Sequence, residues 1–248
     1  MDTWKYRRIA HRDHLVCNPT SEFKLDELVA LLDLPAAARV LDIACGKAEL
    51  LCRVAERYGA SGIGVDISPY EVESARNRVQ ERGLAGRVEI VQLDGAEYRA
   101  DDASFDQAMC IGATWVWDGL NGTLDALSRW TRPGGLVVVG EAFWLRSPTP
   151  EYLAFTGMTA GMFGSHAENV AAGEAAGLAL LYSVVSNPDD WDRYEGLQWR
   201  ASESYAIECP DDPDVPELRE RARDGREEYL RWGRDTLNWA MYLFRKAG

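Results

Sequence analysis

The stretch VLDIACGKAELLC, residues 40–52, decides the fold. It begins with a short aliphatic run typical of a buried strand and continues from Ala48 with apolar residues at helical spacing. The turn between them is built of small residues, Ala44, Gly46 and Ala48, with the acid Glu49 at the helix entrance. Such a turn lets a cofactor approach the backbone closely. Alanine permits that approach as long as neither alanine needs a positive φ.

Strand and helix patterns alternate along the rest of the chain. Further strands are predicted at 61–68, 87–94, 105–115, 136–144, 178–186 and 237–247, with helices at 48–59, 68–83, 123–135 and 167–177. Alternation of this kind is typical of a largely parallel sheet with helices on both faces. We therefore predict an α/β fold, with a seven-stranded, mostly parallel Rossmann-like sheet.

The chain is predicted to form one domain, residues 1–248, with four parts. Residues 1–34 form an N-terminal helical cover and residues 35–186 the cofactor-binding core. Residues 187–236 break the alternation, being acidic, rich in tryptophan and punctuated by proline, and are predicted to be a helical insertion or lid. Residues 237–248 form the last strand.

Composition narrows the class of partner. The net charge is −13, and a field of that sign repels polyanions, so we expect a small-molecule substrate and no nucleic-acid partner. The five cysteines show no paired metal spacing, so no metal site is predicted. Their odd number and the absence of a signal peptide favour the cytoplasm. No apolar run is long enough to span a membrane, and the oligomeric state is left open.

The predicted strand ends carry the chemistry, because ligands of open parallel sheets bind beyond the carboxyl ends of the strands. Asp66, which ends the second strand, is placed to accept both hydroxyls of a ribose. A dinucleotide would need a G-x-G-x-x-G turn, which is missing, and its diphosphate would face Glu49 with like charge. S-Adenosylmethionine has no phosphate and carries a positive centre, so the turn favours this adenosyl cofactor.

Four motifs then show a resemblance to a known family. VLDIACGKAE (40–49), GVDIS (64–68), LDGAEY (93–98) and RPGG (132–135) resemble, in order, the motifs of class I S-adenosylmethionine-dependent methyltransferases. That resemblance covers about residues 35–186. HLVCNP (14–19), GATW (112–115), GEAFW (140–144) and WDRYEGLQW (191–199) extend it over the whole chain, to a bacterial branch of small methyltransferases without a settled substrate.

The resemblance implies cofactor roles at four strand ends. Asp42 would help shape the turn after the first strand, and Ala44, Cys45 and Gly46 would line the methionine part. Asp66 would bind the ribose and Ile67 would pack on the adenine, Asp94, Gly95 and Ala96 would lie at the adenine edge, and Ile111 and Gly112 would pass under the sulfonium end. Lys47 departs from the family pattern, and it either reaches the methionine carboxylate or points into solvent.

The expected reaction is in-line displacement, in which the protein positions a small-molecule acceptor and, where needed, removes its proton. Glu141, at the end of the fifth strand, is the first candidate base and His14 the second. The candidates for binding the acceptor are His14, Asn18, Trp115, Trp144, Trp191 and Tyr194. The aromatic residues among them could equally be core. Two other functions stay open: a non-catalytic adenosyl-cofactor-binding protein and a nicotinamide-dependent oxidoreductase.

Overall fold

Strands and helices alternate through most of the computed structural model, which describes residues 1–248. The strands are β1 (Arg39–Ile43), β2 (Ser61–Asp66), β3 (Val88–Gln92), β4 (Phe105–Ile111), β5 (Thr131–Trp144), β6 (Leu178–Val185) and β7 (Leu237–Lys246). The helices are α1 (Thr3–Ala10), α2 (Glu22–Leu31), α3 (Glu49–Tyr58), α4 (Pro69–Glu81), α5 (Leu120–Trp130), α6 (Pro150–Thr156), α7 (His166–Ala175), α8 (Pro188–Glu208) and α9 (Val215–Glu228). Short helical turns lie at Gly95–Glu97, Thr114–Trp117, Tyr229–Gly233 and Arg234–Thr236.

All seven strands join one sheet in the order β3-β2-β1-β4-β5-β7-β6. The first five run parallel, and β7 lies antiparallel between β5 and β6. The predicted seven-stranded, mostly parallel sheet is therefore confirmed. The strand order reverses between β1 and β4, and a crevice that can hold a ligand opens at such a reversal, beyond the carboxyl ends of the strands.

The sheet buries an apolar layer on each face. On one face it packs against α2, α3 and α4, with Leu51 and Val54 fully buried. On the other it packs against α5 and α7, with Leu124 and Leu127 fully buried. Each such side chain stabilises the fold by roughly 1.5–3 kcal/mol, so the two layers hold the strand ends at fixed positions.

The turn after β1 takes an unexpected backbone conformation. Ala44, Gly46 and Ala48 have φ values of 56°, 52° and 55°. The condition that neither alanine needs a positive φ is therefore not met. A left-handed conformation costs an alanine about 1–2 kcal/mol, and the neighbouring contacts hold it: the Cys45 N–H donates to Val65 O at 3.0 Å. The turn is thus strained as well as small.

The N-terminal cover and the insertion pack on each other. Helix α1 contacts α8 and α4, and α8 packs along α9, so the helical insertion before the last strand is confirmed. The sequence reading missed α6, although Thr149 caps it and Pro150 stands at its first turn, a standard start signal. None of the helices combines the length and the apolar character needed to cross a bilayer.

Candidate active site

Two cavities open at the carboxyl edge of the sheet. The first, of about 350 Å³, lies among the turn after β1, the ends of β2 and β3, and the N-terminal segment. The second, of about 510 Å³, lies between the ends of β4 and β5 and residues 162–164. Trp115 lines both, so the two cavities share a wall.

Most of the predicted cofactor residues line the first cavity. These are Ala44, Gly46, Asp66, Ile67, Asp94, Gly95 and Ala96. Asp66 is buried, and its two carboxylate oxygens accept the backbone N–H groups of Gly46 and Ser68, both at 2.8 Å. Burial raises the pKa of Asp66, and these N–H groups act against that rise. Asp66 therefore holds the strained turn in place while it lines the cavity.

The N-terminal segment supplies a wall of the first cavity that sequence reasoning missed. Trp4, Arg7, His11 and Cys17 line it, and Glu71 joins them from α4. His11 is buried, with Nδ1 3.1 Å from Arg7 O and Nε2 3.0 Å from the Tyr194 hydroxyl. Burial lowers the pKa of His11 to about 3, so its ring is neutral. The signal available in the sequence was WKYRRIAHR at residues 4–12, a dense basic run that contains Trp4, Arg7 and His11.

The second cavity is built around Glu141, at the end of β5. The Thr114 hydroxyl donates to its carboxylate at 2.5 Å, and the Ala142 N–H donates to its other oxygen at 2.9 Å. Burial raises the pKa of Glu141. Trp239 also lines this cavity; it is 6% exposed, and its indole N–H has no partner. A buried acid and a buried tryptophan thus line one cavity.

Comparison with known proteins decides the family. Residues 40–135 match the model of a methyltransferase domain. A Geobacter sulfurreducens S-adenosylmethionine-dependent methyltransferase, solved with S-adenosylhomocysteine, is 31% identical over 97% of both chains, with a TM-score of 0.91. A Thiobacillus denitrificans counterpart, also solved with S-adenosylhomocysteine, is 32% identical over 98% of this chain and 99% of that one, with a TM-score of 0.90.

The chain belongs to the S-adenosylmethionine-dependent methyltransferases. The predictions of a class I methyltransferase, of an enzyme and of S-adenosylmethionine as methyl donor are thereby confirmed. The uncharacterized protein YjhP of Escherichia coli is 30% identical over 98% of each chain.

Not every predicted cofactor residue of this methyltransferase lies at the first cavity. Asp42 and Ile111 line neither cavity, and Gly112 lines the second. The Cys45 sulfur faces Gly64 in the core, where an added Cβ would come within 2.9 Å of it. Burial raises the pKa of Asp42 well above its usual range. Asp42 and Cys45 therefore support the turn from beneath.

Glu49 does not face the cavity, which corrects the argument from its charge. Its fully buried carboxylate pairs with Arg53 at 2.6 Å, Arg82 at 2.7 Å and Arg78 at 3.3 Å. Burial acts to raise the pKa of Glu49, but these guanidinium groups outweigh it and hold that pKa below its usual range. The acids at the cavity are instead Asp66, Glu71 and Asp94.

Lys47 follows neither of its two predicted courses. Its ammonium group donates to His11 O at 2.7 Å and to His14 O at 2.8 Å. It therefore ties the N-terminal segment to the turn. A lysine in this place keeps His11 and Cys17 against the cavity.

Of the predicted acceptor residues, only Trp115 lines either main cavity. His14, Asn18 and Tyr194 surround a separate space of about 40 Å³, where His14 Nε2 lies 2.8 Å from Tyr194 O. The other two tryptophans have partners within the protein: Trp144 Nε1 donates to Ala160 O and Trp191 Nε1 to Asn238 Oδ1. His14, Asn18, Trp191 and Tyr194 pack the cover and the insertion, whereas Trp144 packs against Tyr152 and Phe163.

A third cavity, of about 570 Å³, lies elsewhere. Arg39, Ser61 and Val88 line it, and all three stand at the amino ends of their strands. Ligands of open α/β sheets bind at the opposite edge. Despite its size, this cavity is therefore outside the site.

Proposed function

We propose that this methyltransferase binds S-adenosylmethionine in the first cavity and a small-molecule acceptor in the second, and transfers the methyl group between them. One observation carries the proposal: the two cavities adjoin through Trp115 at the carboxyl edge of the sheet. A cavity of about 510 Å³ is the size that holds a drug-sized molecule. All five cysteines are free thiols, which fits a reducing compartment such as the cytoplasm.

The first cavity suits a cofactor that is positively charged and carries no phosphate. Three acids, Asp66, Glu71 and Asp94, line it against one arginine, Arg7. Glu71 forms no ion pair, and one of its carboxylate oxygens has no hydrogen-bond partner, so no group of the protein offsets its charge at the cavity. A diphosphate would meet three like charges here, which counts against the nicotinamide alternative. When bound, S-adenosylmethionine supplies an electrophilic methyl group on a sulfonium.

The residues of the first cavity divide the binding between them. Asp66 takes the ribose hydroxyls, since it retains acceptor capacity beyond its two backbone contacts. Asp94, which caps the turn at Gly95–Glu97 through Ala96 N–H at 2.9 Å, takes the adenine amino group. Arg7 provides the opposite charge for a carboxylate. These contacts fix the direction in which the methyl group points.

In the second cavity, Glu141 holds the acceptor and takes its proton. Its carboxylate is fixed by Thr114 and Ala142, so it is oriented before the acceptor arrives. Its raised pKa makes it a better base than an exposed glutamate. His14 is not placed for this role, because it lies outside both cavities.

Calorimetry with S-adenosylhomocysteine tests the cofactor site. Losing a charge-assisted hydrogen bond costs about 1.5–3 kcal/mol, so Asp66→Asn is expected to weaken binding roughly ten- to a hundredfold. Asp101→Asn, at an exposed acid far from the cavities, is the control and should bind as the parent does. Equal affinity in Asp66→Asn and the parent would remove the assignment, as would tighter binding of a nicotinamide dinucleotide. Release of S-adenosylhomocysteine with an acceptor separates the enzyme from a non-catalytic binder.

A further inference from the structure

We propose that Asn169 selects the acceptor of this methyltransferase: its side-chain oxygen Oδ1 accepts a hydrogen bond from an O–H or N–H group of the acceptor other than the group at Glu141. The acceptor then carries two hydrogen-bond donor groups on an apolar body. This inference rests on the proposed function, because it takes the second cavity as the acceptor site. It adds a specificity-determining residue and the chemical class of molecule that this residue selects.

The amide group of Asn169 is held in one orientation. Asn169 stands on α7, is only 4% exposed and lines the second cavity. Its Nδ2 donates to Ala142 O at 3.1 Å and to the Tyr242 hydroxyl oxygen at 3.2 Å. A backbone carbonyl only accepts, so the nitrogen of the amide, and not its oxygen, must face Ala142. The position of Oδ1 is fixed by the same two contacts.

Tyr242 supports this orientation from behind. It is fully buried, and its hydroxyl oxygen lies 2.9 Å from His166 Nδ1. Because Asn169 Nδ2 can only donate, the tyrosine hydroxyl accepts that bond and keeps its single proton for His166. Burial lowers the pKa of His166, which favours the neutral ring that can accept this proton. The two hydrogens of the amide nitrogen are therefore both used inside the protein.

The oxygen of the same amide is left open. Oδ1 forms no hydrogen bond within the protein, although Asn169 is buried. It differs from the indole nitrogens of Trp199 and Trp239, which are closed off from solvent without a partner, because Oδ1 keeps accessible surface. A Cβ added at Gly164 would lie 3.4 Å from Oδ1, and Gly164 lines the second cavity. An oriented and unpaired acceptor atom thus stands at the wall of this cavity.

Asn169 and Glu141 reach the cavity from the same face of the sheet. Val139 and Phe143, which share that face with Glu141 along β5, belong to the apolar layer beneath α5 and α7. Asn169 belongs to α7, which packs on that layer. Both residues line the second cavity. The cavity therefore offers two fixed hydrogen-bond acceptors, the Glu141 carboxylate and the amide oxygen of Asn169.

The rest of the cavity fits the apolar body of such an acceptor. Trp115, Leu120, Met162 and Phe163 supply apolar and aromatic surface. An O–H or N–H group of the acceptor pairs with the amide oxygen. An ether, carbonyl or carboxylate oxygen in the same place would face it lone pair to lone pair, and a buried site penalises polar groups that stay unpaired. Asn169 therefore selects molecules that carry a second donor group.

The test uses probes that share one ring and differ in the second group. Calorimetry on protein saturated with S-adenosylhomocysteine compares the three benzenediols and the three aminophenols with the fluorophenols of the same spacing. The fluorine replaces the second donor with little change in size. At least one diol or aminophenol should bind about 2- to 12-fold more tightly than its fluorophenol, which is the range that one net hydrogen bond gives. Whether the diol or the aminophenol gains more identifies O–H or N–H as the preferred donor.

Three variants assign the gain to one atom. Asn169→Ala should erase the gain and leave fluorophenol binding as in the parent, with circular dichroism confirming the fold. Tyr242→Phe removes one contact of the amide nitrogen but leaves Oδ1 in place, so it should lower the melting temperature and keep the gain. Asn121→Ala, at an exposed asparagine of α5 outside the cavity, is the matched control. A gain that survives Asn169→Ala overturns the proposal. Loss of the gain in both Asn169→Ala and Tyr242→Phe overturns it too, because the gain would then follow the packing of α7.

A crystal structure of the parent with S-adenosylhomocysteine and the tightest probe answers the same question without a variant. A donor atom of the probe should lie about 2.5–3.2 Å from Asn169 Oδ1, and a probe that leaves this oxygen unpaired overturns the proposal.

The outcomes separate this inference from the proposed function. If S-adenosylhomocysteine binds and Asp66→Asn weakens it, the proposed function stands. In that case, equal binding of the fluorophenols and their partners, or no binding of any probe at millimolar concentration, overturns the role of Asn169. If S-adenosylhomocysteine does not bind, the proposed function itself fails.

Discussion

Replacing Lys47 with methionine tests how the first cavity is kept closed. The substitution preserves most of the side-chain length and removes the ammonium group. That group donates to the carbonyl oxygens of His11 and His14 at 2.7 Å and 2.8 Å. The segment that carries these carbonyls also brings His11 and Cys17 to the cavity. We therefore expect Lys47→Met to loosen residues 1–20 without unfolding the sheet.

The size of the effect follows from the two contacts. A hydrogen bond from a charged donor contributes about 1.5–3 kcal/mol, and ordering a lysine side chain costs up to about 2 kcal/mol. The two bonds less that cost leave a net loss of roughly 1–4 kcal/mol. At about 1.4 kcal/mol per factor of ten, local opening of the segment should become roughly 5- to 700-fold more frequent.

Hydrogen exchange followed by mass spectrometry measures this opening in peptides from residues 1–20. Lys246→Met is a matched control, because the Lys246 ammonium also donates to two carbonyls, Ser128 O at 2.7 Å and Thr131 O at 2.9 Å, but at the far end of β7. It should lower stability without changing exchange in residues 1–20. If that segment exchanges at the parent rate in Lys47→Met, Lys47 does not hold the cover and the reasoning is refuted.

Three further predictions follow from residues around the turn. Glu49→Gln removes the carboxylate shared by Arg53, Arg78 and Arg82 and should lower the free energy of unfolding by about 2–4 kcal/mol. The affinity for S-adenosylhomocysteine should stay within about threefold of the parent, because the Glu49 side chain faces away from the cavity. A tenfold loss of affinity would show instead that the charge of Glu49 acts on the cofactor. Burial lowers the pKa of His11 to about 3, so below pH ~6.5 the unfolded chain binds a proton that the folded chain does not, and stability should fall by roughly 2 kcal/mol between pH 6.5 and pH 5. Chemical denaturation at several pH values measures this decline, and His11→Gln should flatten it; an equally steep decline in the variant would contradict the assignment. Ala44→Gly removes the strain of an alanine in the left-handed region, which costs about 1–2 kcal/mol. The greater entropy that glycine loses on folding offsets about 0.5–1 kcal/mol of that gain. The melting temperature should therefore rise by about 1–4 °C. Ala48→Gly also gives up a fully buried methyl group, worth about 0.8 kcal/mol, and should change it little; a lower melting temperature in Ala44→Gly than in the parent would show that the strain is absent.

The fold could be predicted because its signals are local. A serine at the N-cap and a proline in the first turn predict the helix that starts at Pro69. In the structure the Glu71 N–H donates to Ser68 Oγ, which is the predicted capping bond. Strand ends follow from such boundaries, and parallel strands bring their ends to one edge. That is why Asp66 and Asp94 were predicted to meet, and they do line one cavity.

The direction of individual side chains could not be predicted in the same way. Glu49 stands at the helix entrance, but three arginines on two helices draw it away from the ligand edge. Part of that outcome was legible, since Arg78 and Arg82 lie four residues apart and so share a face of the predicted helix. The packing of α4 against α3, which brings these arginines to Glu49, could not be predicted from the sequence. The direction of the Lys47 side chain is still harder to predict, because its partners are backbone carbonyls. Every residue has a backbone carbonyl, so the residue types do not show which ones a lysine will contact.

The acceptor side shows the limit most clearly, in Trp144 and Trp239. The sequence favours Trp144 because it ends a strand on the ligand edge. The tryptophan of the structure that lines the second cavity from this side is Trp239. Its position depends on β7 pairing antiparallel with β5, which places Trp239 opposite Ala142, the residue that follows Glu141. No local pattern states that register. Two glycines in the sequence are nevertheless related to this register. Gly112 and Gly140 are the first residues of the motifs GATW and GEAFW, and the Trp239 ring packs over both. The glycines of both motifs therefore make room for a distant tryptophan at the cavity that we propose for the acceptor.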